Sequence, residues 1–170
     1  MIIFITGASG VGKTTCVEYM ETKYADGAYA YFHFDSIGVP SAEEMAKIEN
    51  WQKQATYQWV EKLIDRHEEG KVLIMEGSTS MEYIKEAFSD NEFAEYKMVL
   101  ITCKEEDMVS RLIHERNQPD LVTDDMKNWR RYLYNQGIEN DAVIIDTSTS
   151  SIDESVDRLK AMADDFLTQK

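Results

Sequence analysis

The chain has 170 residues, 43% of them hydrophobic, and a formal net charge of -14; that length makes one domain with a core of its own rather than a disordered segment. The charge excludes general affinity for nucleic acid or an anionic membrane, because polyanion binding is driven by Lys and Arg on phosphates. Its two cysteines, Cys16 and Cys103, have no metal-ligand spacing, and Gly7 cuts the apolar start Met1 to Ile5 too early for a signal peptide or a membrane span, so a cytoplasmic protein is expected.

Met1 to Thr6 reads as a buried strand, and Gly7 to Thr14 as a glycine-rich turn into a helix ending near Tyr24 to Gly27. Ala28 to Phe34, rich in aromatics, suits a second strand. Ser41 and Glu44 form a capping box before a short helix, and Trp51, Ala55, Trp59, Val60, Leu63 and Ile64 recur at helical spacing before Gly70. Lys71 to Met75 is the continuous apolar strand of a parallel sheet covered on both faces. A helix over Thr79 to Phe88 and a fourth strand, Val99 to Cys103, follow. The next helix runs through Met108, Leu112 and Ile113, and the polar stretch Asn117 to Thr123 interrupts it. A further helix, Asp124 to Tyr134, is expected to end at Gln136 and Gly137. Ala142 to Asp146 is the fifth strand, and a capping box of Ser151 and Glu154 opens an amphipathic last helix through Val156, Leu159, Met162, Ala163 and Phe166. Strands alternating with crossover helices predict an α/β domain with a parallel, doubly wound sheet.

Gly7, Ala8, Ser9, Gly10, Val11, Gly12, Lys13 and Thr14 have the spacing of a Walker A phosphate loop, extended by Thr15. The glycines allow successive N-H groups to turn inward around a phosphate, and the following helix points its positive dipole end at the same anion. Lys13 would bridge the β- and γ-phosphates of ATP, and the Thr14 hydroxyl would ligate Mg²⁺. An apolar strand before the loop and a helix after it supply the context the motif needs.

With this loop the chain resembles the P-loop small-molecule and nucleotide kinases, the group that holds adenylate, shikimate and gluconate kinases, chloramphenicol phosphotransferase and the zeta toxins. The resemblance implies a P-loop NTPase fold of three layers, α/β/α, with a five-stranded parallel sheet in order 2-3-1-4-5. It implies one kinase domain over residues 1–170, with a substrate-binding insertion at 41–69 and a helical lid at 114–125. By the same likeness Asp35, at the tip of the second strand, accepts or orients the acceptor hydroxyl, although Asp followed by Ser also suits a turn. Glu76 holds a Mg²⁺-bound water or a substrate hydroxyl, or else caps the next helix. Arg111 stacks on the base, Arg116 reaches the transferring phosphate, and Thr147 lies in the loop that lines the base. Arg130 is offered to the acceptor in preference to Arg131, since neighbouring helical residues diverge by about 100°. Trp51 in the insertion suits a ring-shaped acceptor, while the aromatics around it also read as core, and His33 is expected to pack.

The function so implied is ATP-dependent transfer of the γ-phosphoryl group to a hydroxyl or phosphate of a nucleoside, nucleotide, sugar or antibiotic. Partners are then Mg-ATP and the small acceptor, with neither nucleic acid nor membrane. The alternative is a nucleotide-dependent switch or adaptor ATPase. That reading is weakened because the third strand lacks the Asp that ends the Walker B strand of many ATPases.

Overall fold

The computed structural model describes residues 1–25, 27–38, 40, 44, 47–68 and 70–168. The apolar run Ile2–Thr6 forms β1, and all of its side chains are buried. It pairs in parallel with β3 (Val72–Glu76) on one side, Ile2 opposite Leu73, and with β4 (Tyr96–Thr102) on the other, Ile2 opposite Tyr96. β2 (Tyr29–His33) joins β3 and β5 (Val143–Asp146) joins β4, which completes the expected all-parallel order 2-3-1-4-5.

Successive β1 side chains point to opposite faces, and each face has its own helical layer. Ile3 and Ile5 pack with Val17 and Met20 of α1 (Lys13–Lys23) and with Val156, Leu159 and Ala163 of α6 (Ile152–Thr168). Ile2 and Phe4 pack with Val60 and Leu63 of α2 (Trp51–Asp65) and with Ile84 and Phe88 of α3 (Met81–Asp90). Leu133 of α5 (Asp124–Glu139) meets Leu100 and Met81 on that second face. Each such side chain contributes about 1.5–3 kcal/mol by leaving water, and this holds the three layers together. No helix among the described residues is long and apolar enough to cross a membrane.

Several boundaries differ from the expected ones for identifiable reasons. β4 begins at Tyr96 rather than Val99, because Tyr96 to Met98 already pair with Ile2 to Phe4 and the Tyr96 ring stacks on Phe88 at 4.1 Å. Ser80 caps α3, its hydroxyl accepting from Glu82 N at 3.2 Å, so the helix starts after Thr79. Thr79 instead sits buried with its hydroxyl 2.7 Å from that of Thr56. α5 does not stop at Gln136 and Gly137. Buried Gln136 accepts from Met81 N at 3.0 Å, and a Cβ at Gly137 would lie 2.9 Å from Leu100 Cδ2, so the glycine lets the helix lie close on β4.

The helix through Leu112 is also not uniform. α4 (Glu105–Ser110) widens into one π-helical turn, Arg111–Glu115, closed by Arg116 N donating to Arg111 O at 2.9 Å. The capping box at Ser151 forms as expected, with Ser151 N donating to Glu154 Oε2 at 2.7 Å. The one expected at Ser41 lies outside the described residues.

Candidate active site

The loop from Gly7 to Gly12 joins the carboxyl end of β1 to α1 and depends on its glycines for two separate reasons. Gly10 and Gly12 hold φ of 82° and 98°, which favour residues without a Cβ. At Gly7 the neighbour decides, since a Cβ there would stand 2.2 Å from Ile101 O. α1 begins without a side-chain cap and without an acidic residue in its first turn. Its amides and its dipole are therefore left for an external anion.

Lys13 is 8% exposed and donates to Ala8 O at 3.0 Å. Burial pushes its ammonium below the ordinary lysine range, and the negative charge of Glu76 opposes that shift. Glu76, at the end of β3, is buried. Thr14 Oγ1 donates to its Oε1 at 3.2 Å, and His33 Nδ1 lies 2.9 Å from the same oxygen. His33, expected to pack, thus belongs to the site: it is the register partner of Glu76 across β2 and β3, which puts both side chains on one face.

The donor set fits magnesium. A hydroxyl and a buried carboxylate are hard oxygen donors, of the kind magnesium takes beside water and phosphate.

Beside the loop opens a cleft of about 510 Å³ whose lining includes Gly12, Lys13, Thr15, Arg111, Arg116 and Thr147. Arg111 stands at the root of the π-helical turn. It donates to Val11 O at 3.2 Å, to Thr147 Oγ1 at 2.8 Å and to Thr147 O at 3.1 Å, which ties the phosphate loop to the loop after β5. Arg116 bears on Lys13, holding its ammonium pKa down, and Asp35 bears on the same group in the opposite sense. Ser150, Ile152 and Ser155 extend the lining along the start of α6, with Glu18 and Glu115 at the same cleft. The Ser151 capping box marked that helix start, but nothing in its spacing marked a cleft wall. Cys16 also lines the cleft, and burial pushes its thiol up to about 11.

On the other side of the loop, Asp35 sits in a short 3₁₀ turn, Phe34–Ile37, at the tip of β2. Trp51 opens α2 with its ring edge-on to Phe34, centroids 6.2 Å apart. Trp59 is 5% exposed and donates to Phe34 O at 3.0 Å, so that aromatic is core. Two side chains meet at the loop after β3: Gln52 Nε2 donates to Ser78 O at 2.8 Å and Trp129 Nε1 to Ser78 Oγ at 3.0 Å. Arg130 donates to Cys103 O at 3.0 Å, with Glu105 at 3.9 Å. Arg131 is exposed and bonds Asn128.

Residues 3–130 match the family model described as AAA domain. No curated protein matches the chain. Among solved structures, shikimate kinase from Acinetobacter baumannii in complex with shikimate aligns with a TM-score of 0.62 at 14% identity, over 99% of this chain and 94% of that one. Thymidylate kinase from Candida albicans aligns with a TM-score of 0.62 at 12% identity, over 99% of this chain and 93% of that one. Identities this low speak for the fold. The phosphate loop, the strand order and the matched family model together place the chain in the AAA domain family, with the fold that P-loop nucleotide and small-molecule kinases share.

Proposed function

We propose that the protein is an ATP-dependent phosphotransferase that moves the γ-phosphoryl group to a hydroxyl or phosphate of a small molecule. The observation that carries this reading is the cleft beside the phosphate loop: buried Lys13 at an uncapped helix start, Arg111 and Arg116 in the same lining, and Thr14 bonded to Glu76 at the end of β3. Cations gathered beside an anion-binding loop suit phosphoryl transfer.

In that reaction the loop amides and α1 hold the phosphate tail, and Lys13 exchanges Ala8 O for the β- and γ-phosphates. Thr14 and Glu76 would hold magnesium, which when bound neutralises charge on those phosphates. Asp35 accepts the proton of an acceptor hydroxyl as its oxygen bonds to the γ-phosphorus and the bond to the bridging oxygen of ADP breaks. Arg116 stabilises the equatorial oxygens, and Arg111 and Thr147 flank the base.

ADP release measured with ATP, Mg²⁺ and a panel of nucleosides, nucleotides and sugars tests the reading; no acceptor-stimulated release across a broad panel would count against it. Lys13→Ala should lose ATP binding. Asp35→Asn should keep it and slow transfer by about 10²–10⁴-fold. Equal loss of ATP affinity in both variants would contradict the role given to Asp35.

A further inference from the structure

On the acceptor side of the phosphate loop the wall is neutral or acidic. Asp35 and Glu76 stand at the tips of β2 and β3. Gln52 and Trp129 close on Ser78 with an amide and an indole, and Trp51 adds a ring beside Phe34.

The nearby cations are directed to other groups. Arg130 donates to Cys103 O and lies 3.9 Å from Glu105, and Lys53 pairs with Glu86 at 2.6 Å. Lys127 faces Glu105 and Asp124. Lys13, Arg111 and Arg116 line the nucleotide cleft, where the triphosphate has first claim on them. An anionic group on the acceptor would meet the carboxylates of Asp35 and Glu76 at the strand tips, and among the described residues no guanidinium or ammonium outside the nucleotide cleft is directed to it. Like charges brought together in that way repel strongly, whereas hydroxyls, ring faces and amines meet complementary groups.

We propose that the acceptor is an alcohol bearing no phosphate or carboxylate, held by Trp51, Gln52, Ser78 and Trp129 with its reacting hydroxyl at Asp35. This rests on the phosphotransferase reading and narrows it, since of hydroxyl and phosphate acceptors it leaves the hydroxyl. The transferred group ends as a phosphate ester, and the product, now anionic, is repelled by the wall that admitted its precursor.

The test uses the full chain with Mg-ATP and matched pairs: a nucleoside against its monophosphate, a hexose against its phosphate, and a cyclic polyol against the corresponding carboxylic acid. Calorimetry with ATP comes first. If ATP does not bind, the phosphotransferase reading itself fails. If ATP binds, the non-anionic member of at least one pair should be favoured at least about tenfold in kcat/KM. Preference for the anionic members, equal use of both, or silence from every pair with ATP bound would each overturn the inference while leaving nucleotide binding intact. Gln52→Arg supplies the missing cation and should raise use of the anionic member relative to its partner, again by about tenfold. A ratio indifferent to that new charge would also overturn it.

Discussion

Two glycines of the phosphate loop separate backbone strain from crowding. Both Gly10 and Gly12 have left-handed φ, at 82° and 98°, so an alanine at either costs about 1–2 kcal/mol of backbone strain. Their surroundings differ. A Cβ at Gly12 meets nothing nearer than Arg111 NH1 at 3.7 Å, whereas a Cβ at Gly10 lies 2.9 Å from Leu112 Cγ and 3.2 Å from Met108 O. Leu112 and Met108 are fully buried and cannot swing aside, so Gly10→Ala adds an overpacking cost of about 1–3 kcal/mol. The two variants should therefore differ by that amount, roughly 2–12 °C in Tm for a chain of this size. Because Leu112 lies in the π-helical turn that begins with Arg111, the crowded variant should also lose more ATP affinity. Urea unfolding and ATP calorimetry on both proteins measure the two effects. Equal destabilisation, or a milder effect at Gly10, would refute the claim that α4 and its π-helical turn are seated directly on the loop.

Arg111→Lys keeps the charge but loses the fork that reaches Val11 and Thr147, so ATP binding should weaken in calorimetry despite the unchanged net charge. Gln136→Leu leaves the buried Met81 N without an acceptor and should cost about 1–3 kcal/mol in chemical denaturation, with ATP affinity little changed. Asp164 accepts from Lys160 and, at 2.5 Å, from Tyr29, and these bonds hold its carboxyl below the usual 3.8. A depressed folded value means stability that is present above pH 3.8 and lost as pH falls through the folded pKa, so the urea midpoints of wild type and Asp164→Asn should converge below pH 3.8. A gap that persists in acid would show that the carboxylate charge is not what the bonds require.

The parts of this protein legible in its sequence are those set by local rules. Five apolar runs broken by turn residues give the strands, and a loop that needs left-handed glycines next to a lysine announces what it binds. What escaped depends on contacts between distant segments. His33 looks like a packing residue until the register of β2 on β3 sets it against Glu76. Gln136 and Gly137 look like a helix stop because a buried amide and a close helix-to-strand approach leave no periodic trace. The widened turn at Arg111 follows from no propensity of Arg-Leu-Ile-His-Glu that we can name.

The first strand made waits for both of its neighbours. β1 is flanked by strands that begin at Val72 and Tyr96, so the segment carrying the phosphate loop has no second partner until more than half the chain has been synthesised. Long separations of this kind slow folding and leave an apolar edge waiting. The seat of Gly7 is the carbonyl of Ile101, so the loop acquires its shape only when β4 docks. A labelled ATP analogue added during refolding would consequently report the arrival of the fourth strand, with capture lagging behind helix formation.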